Sequence, residues 1–360
     1  MKRILFWTTY FKREDFSFGI GHEPFVTAGC RVTNCIATSD RSFINESDAV
    51  MFHPINYDPS DVPPHRLSHQ RYVFLFYEAD DEESSYRALP IFRHPPPGYF
   101  NWSMTYRRDS DVHCTQPYGL LRRLSSPSVP KKLPLALKSG ELPPHPAASA
   151  NRLTKEGGGG ETYLSVVSKK TKLVAWFVSH CKTASQREQF FLELDKHIHI
   201  DIYGECGYLE CTPWNAPECD KLLNDYKFYI SAESVLCADY VTEKFYRALE
   251  ASVVPIVYGG ADYSAYAPPH SFIHAADFAS PKALAHYLEL LDDNPALYSR
   301  YFDWKRDWQV VRNPLDGWCD LCEKLNNPEE EIKSYKNLSK WWFDDIPCLA
   351  TPLFNNNSNT

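Results

Sequence analysis

No stretch of this 360-residue chain reaches eighteen consecutive apolar residues, and runs such as Val253–Val257 have the length of a strand. A bilayer-spanning helix needs about twenty, so none is expected. Met1–Trp7 is too short and too polar at its flanks to read as a secretory signal. Positive charge is not in surplus either. The 38 Lys and Arg stand against 46 Asp and Glu, a formal charge of −8, which argues against the concentrated basic surface that nucleic acids require. The phosphate-binding glycine signatures G-x-G-x-x-G and G-x-x-x-x-G-K-[ST] are missing, and Gly157–Gly160 reads as a flexible run. The thirteen His show neither H-E-x-x-H nor any clustered ligand spacing, so no catalytic metal is expected.

What is present describes a soluble globular protein of about two domains. Hydrophobic residues make up 43% and charged residues 23%, which allows a sizeable core. Eleven cysteines are many for a reducing compartment. Four N-x-Ser sequons, at Asn45, Asn101, Asn337 and Asn356, point the same way, towards the secretory pathway. Cys319-x-x-Cys322 is open to three readings: a zinc site with Cys30 and Cys35, a redox pair, or disulfides tying the chain ends together.

Short apolar runs bounded by Gly, Pro, Asp or Ser predict strands at Ile4–Thr8, Arg31–Ala37, Ala49–Phe52, Tyr72–Tyr77 and Trp102–Tyr106. Residues 121–170 hold many prolines and no sustained apolar period, so they read as a linker or insertion. A second series follows, with strands at Leu173–Val178, Ile198–Tyr203, Phe228–Ser231, Val253–Val257 and Phe272–Ala275. Helices are expected at Ser185–His197, Tyr240–Ser252 and Pro281–Tyr301. Strand–helix alternation on both sides of a linker predicts an α/β protein with two Rossmann-like domains facing across a cleft. The expected division is 1–120, the linker 121–170, a second domain 171–325 and a tail 326–360.

Ligands of such sheets bind beyond the carboxyl ends of the strands. The segment Ser179–Arg187 enters a helix there, where amides and Arg187 suit a phosphate. Lys244 stands in the first turn of another expected helix, opposed to its dipole and well placed for an anion, with Glu243 beside it for sugar hydroxyls. An ordinary solvated Glu–Lys pair is the other reading. Asp109-Ser110-Asp111 is either a metal–diphosphate D-x-D motif or a brace at a strand end.

Residues 226–246, YKFYISAESVLCADYVTEKFY, with VVPIVYGGA at 253–261 and PPHSFI at 268–273, resemble the donor motif of the α-1,3-fucosyltransferases. YRRDSD at 106–111 and Phe100-Asn101-Trp102 resemble further segments of that family, and the likeness covers roughly residues 2–120 and 170–325. It implies a GT-B fold, GDP-fucose as donor, inversion at the sugar carbon and no obligatory metal. The acceptor it implies is N-acetylglucosamine of glycoprotein glycans, fucosylated in α-1,3 linkage in the Golgi lumen. It puts Arg187 and Lys244 on the diphosphate, Tyr240 and Glu243 near the guanosine and fucose, and Glu233 and Ser234 in the donor pocket. Glu78, at the carboxyl end of the Tyr72–Tyr77 run, becomes the general base, where partial desolvation should raise its pKa. Cys319 and Cys322 are expected to pair with Cys30 and Cys35, and at least one of the eleven cysteines must stay unpaired.

The chain departs from the family pattern in three places. F-E-N-S reads Ala232-Glu233-Ser234-Val235, and E-S-P after the base reads Glu78-Ala79-Asp80. The usual membrane anchor has no counterpart in these residues. The first change favours an alternative reading, a catalytically weakened, lectin-like binder of glycan or GDP-fucose.

Overall fold

The computed structural model describes residues 1–80, 86–124, 167–211, 217–346 and 348–349. Six strands form the first sheet: β1 (Lys2–Phe6), β2 (Cys35–Thr38), β3 (Ala49–Phe52), β4 (Arg71–Phe76), β5 (Trp102–Thr105) and β6 (Val112–His113). They are all parallel and lie in the order β2-β1-β3-β4-β5-β6. β3 is buried throughout and β4 at all but its first residue. Covered on both faces, they run apolar without alternation.

β7 (Leu120–Arg123) runs into the segment expected to be linker. The second sheet holds β8 (Lys172–Phe177), β9 (Ile200–Tyr203), β10 (Tyr226–Ala232), β11 (Val254–Tyr258) and β12 (Ile273–His274), again all parallel, in the order β12-β11-β10-β8-β9. The Arg187–Asp195 and Glu243–Glu250 helices are its crossovers. β13 (Trp308–Val311) then pairs antiparallel with β7, Val311 opposite Leu120 and Trp308 opposite Arg123. The linker assignment therefore fails at 121–123; residues 125–166, with Gly157–Gly160, lie outside the described residues. The single helix expected over Pro281–Tyr301 stops at Asp292 and restarts at Pro295. Pro295 has no N–H to continue the ladder and disfavours helical backbone in the residue before it.

The domain boundary at 325 is also corrected. The Asp316–Asn326 helix belongs to the first domain's core. There Trp318 stacks on Phe18 at 4.7 Å, meets Phe6 edge-on at 5.6 Å, and donates from Nε1 to Gln116 Oε1 at 2.7 Å. The expected tail is no tail either. Its Leu338–Phe343 helix lays Trp342 against Phe74 and Phe76 beneath β4, at 5.6 and 5.5 Å. The strands of the first domain leave apolar faces that its own short connections cannot cover, so the chain returns to cover them.

Disulfides fasten that return. Cys30 pairs with Cys319 and Cys35 with Cys322, at Cα separations of 5.0 and 5.9 Å, which removes the zinc and redox readings. Three further pairs were not foreseen: Cys181–Cys206, Cys211–Cys219 and Cys237–Cys348. Cys114 alone is free, fully buried, and burial pushes its thiol up to about 11. Since the thiolate is the nucleophile, alkylation of unreduced native protein at pH 8 should label no cysteine. After denaturation without reductant, mass spectrometry should find one, Cys114. Two or more labels on unfolding would contradict the pairing.

Of the sequons, Asn45 and Asn337 are exposed. Asn101 is not a usable acceptor. It is 4% exposed, its Oδ1 accepts from the Tyr72 amide at 2.9 Å and its Nδ2 donates to the Lys333 carbonyl at 2.8 Å. Asn356 lies outside the described residues.

Candidate active site

The carboxyl ends of both sheets open on one cavity of about 570 Å³. The first domain contributes Glu78 and Ala79, just after β4, with Pro117 and Tyr118. The second contributes Val178–His180 after β8, Tyr203 and Gly204 after β9, and Ser234 after β10. Tyr240, Thr242, Glu243, Lys244 and Arg247 complete that wall from the Glu243–Glu250 helix and the turn before it. Gly204 lets two strand ends meet. Its φ is +98°, and a Cβ there would lie 2.6 Å from the Val178 carbonyl oxygen.

The second domain's wall is cationic. Arg187 is 3% exposed; its Nη1 donates to the Ala232 carbonyl and its Nη2 to the His180 carbonyl. Its Nε has no partner among the described residues. Burial lowers its pKa and Glu233 and Glu188 raise it in return, but a guanidinium starts too high to lose its charge near neutrality. A buried cation with a donor to spare suits an anionic ligand.

Lys244 Nζ lies 3.1 Å from Glu233 Oε2 and 2.9 Å from Thr242 Oγ1. Burial pulls its pKa down, Glu233 and Glu243 push it up, and the net shift is upward. Glu233 also accepts from the Thr242 amide at 2.9 Å and from its hydroxyl at 3.0 Å, and is fully buried. That buried carboxylate is what holds a lysine in a helix's first turn against the dipole. The expectation for Glu233 is corrected accordingly. It does not line the cavity but anchors Lys244 from behind, whereas Ser234, the next residue of the chain, lines it. Glu243 lines the cavity 3.9 Å from Lys244, and Arg247 pairs with Asp220 at 2.8 Å.

On the facing wall Glu78 sits among phenols. Burial first, and then the Glu78 carboxylate, push the hydroxyls of Tyr240 and Tyr10 well up. The strand end beneath Glu78 is fixed from two sides. The Tyr77 hydroxyl meets Cys114 Sγ at 3.2 Å, and the Tyr77 carbonyl accepts from Tyr118 Oη at 2.6 Å.

Asp109-Ser110-Asp111 lies outside the cavity and acts as a brace. Arg107 grips Asp109 with Nε and Nη2 at 2.8 and 2.6 Å, and Trp341 Nε1 donates to it. Asp111 Oδ2 accepts from the Ser103 amide and the Tyr335 hydroxyl, and Lys333 pairs with Oδ1.

Arg187, Tyr240, Glu243, Lys244, Ser234 and Glu78 thus share one cavity. Sequence reading missed Tyr118 and Arg247. Arg247 stands four residues after Glu243, on the same helix face, so the helical period could have found it. Tyr118 is brought in by packing between domains and carries no local signal.

Comparison with known proteins finds matches over both halves of the chain. The fucosyltransferase N-terminal family model matches residues 1–119, and the glycosyltransferase family 10 (fucosyltransferase) C-terminal model matches residues 167–341. Alpha-(1,3)-fucosyltransferase C of Drosophila melanogaster is 36% identical over 355 residues, covering 95% of this chain and 78% of that protein. The human 4-galactosyl-N-acetylglucosaminide 3-alpha-L-fucosyltransferase FUT5 is 33% identical over 320 residues, covering 86% and 72%. A crystal structure of an alpha1,3-fucosyltransferase with GDP shares the fold at a TM-score of 0.50 and 16% identity, covering 94% of this chain and 86% of that one.

Proposed function

The chain belongs to glycosyltransferase family 10, the fucosyltransferases, and from that premise we propose that it moves L-fucose from GDP-fucose, with inversion, to O3 of N-acetylglucosamine on a glycoprotein glycan. The observation that carries this reading is a single cavity with a carboxylate, Glu78, on one wall and buried cations on the other. Glu78 takes the proton of the acceptor hydroxyl as its oxygen attacks the sugar carbon. The bond from that carbon to the diphosphate breaks, and the leaving diphosphate gains charge as it departs. Arg187 and Lys244, which both line the cavity, stabilise that charge. Tyr240 and Ser234 flank the donor, and Glu243 accepts from sugar hydroxyls.

Fixed cations make a metal unnecessary in this reading, and both carboxylates of the D-x-D segment are already committed to side chains of this chain. The five disulfides suit an oxidising lumen, which we take to be the Golgi. No helix among the described residues is long and apolar enough to cross a membrane. The second reading, a lectin-like binder, is favoured by Ala232 and Ser234, where the family pattern carries an aromatic and an amide.

GDP release from GDP-fucose separates the two. It should be slow alone, rise many-fold with an N-acetylglucosamine-containing glycan, and persist in EDTA. Binding of GDP-fucose without acceptor-dependent release would support the binder. Loss of activity in EDTA, restored only by a divalent ion, would contradict the metal-free reading.

A further inference from the structure

We propose that Tyr118 is the positioning residue that holds Glu78 in register with the donor-binding helix. Tyr118 is 4% exposed and lines the cavity between the two walls. Two contacts converge on it, and a third on its neighbour. Its hydroxyl donates to the Tyr77 carbonyl at 2.6 Å. Its ring meets that of Tyr240 edge-on at 5.9 Å. The next residue, Gly119, lies so close under Tyr246, on the Glu243–Glu250 helix, that a Cβ would sit 2.5 Å from the ring.

A tyrosine hydroxyl has one proton to give. Tyr118 gives it to the Tyr77 carbonyl. The Tyr77 carbonyl lies in the same peptide plane as the Glu78 amide, so fixing that oxygen fixes the direction in which the Glu78 side chain leaves the strand end. Removing the hydroxyl leaves a buried carbonyl without this donor, and such a group turns to find another. Tyr240 and the Glu243–Glu250 helix belong to the donor side, so the same residue relates the base to the bound nucleotide sugar. Small misplacements of a reacting group cost rate out of proportion to their size.

This inference rests on the reading of Glu78 as the base, and a double-mutant cycle separates the two. Tyr118→Phe should lower kcat about tenfold to a hundredfold, the scale of a misplaced catalytic group, while the GDP-fucose KM stays within about threefold. Tyr118→Phe in a Glu78→Gln background should be no slower than Glu78→Gln alone, because Tyr118 acts through Glu78. GDP binding reports folding. Should Tyr118→Phe fail to bind GDP, Tyr118→His, which keeps a ring N–H able to donate, is measured instead: GDP binding with transfer well above that of Glu78→Gln is expected, and GDP binding with transfer no faster than Glu78→Gln would overturn the role of Tyr118. A phenylalanine variant with wild-type kcat, or effects that multiply in the double variant, would overturn the role of Tyr118. Full transfer by Glu78→Gln would instead overturn the base assignment.

Discussion

Glu78→Gln should bind GDP almost as the wild type does and transfer fucose about a hundredfold more slowly, or worse, the usual scale for loss of a general base. Gln keeps the size and most of the hydrogen bonding of Glu but cannot take up the acceptor's proton. Glu78 follows a buried strand at whose end both backbone and side chain of Tyr77 are held, so the substitution should not disturb the fold. Nearly intact GDP affinity is expected because Glu78 stands on the wall opposite Arg187 and Lys244. The pH–rate profile should lose the acid limb that reports the base. The other cavity-lining carboxylate, Glu243, sits 3.9 Å from Lys244 on the donor side. Asp80 lines a neighbouring groove rather than this cavity. If the Gln variant kept most of its transfer rate, these two would be the next candidates for the base among the described residues.

Lys244→Ala should fail in two separable ways. The variant loses a cation that grips the diphosphate, so GDP-fucose KM should rise and turnover fall, with kcat/KM down about a hundredfold or more. It should also lose stability, because Glu233 is fully buried and its carboxylate pairs with Lys244 at 3.1 Å. Removing one partner of a buried pair leaves an uncompensated charge, at a cost of about 3–5 kcal/mol. Thr242 still donates to Glu233 from its amide and hydroxyl, which places this case at the lower end. Combining Lys244→Ala with Glu233→Gln removes the stranded charge. Urea unfolding should then recover most of the stability while activity stays low. Recovery of activity along with stability would mean that Lys244 serves the fold and not the donor.

The strand pattern and the cavity residues were legible because they are local. β3 and β4 announce themselves as short apolar runs between polar turns, and in parallel sheets the strand ends mark where ligands bind. What escaped was set by distant parts of the chain. Trp318 and Trp342 look like residues of a second domain and a tail, yet they fill the first domain's core, since nothing local records which face they cover. Asn101 has a perfect sequon, but its amide is spent on Tyr72 and Lys333 from other segments. Glu233 stands in a donor motif and was read as a ligand group. Its burial behind Lys244 shows a charge that holds another charge in place.

The proposed transfer takes place in the cavity on which the carboxyl ends of the two sheets open. Its most direct test is to incubate the protein with GDP-fucose and an N-acetylglucosamine-containing glycan and determine the product by NMR. The expected product carries one fucose, α-linked to O3 of N-acetylglucosamine. A β-linked product, a fucose on another sugar or oxygen, or no transfer at all would contradict it.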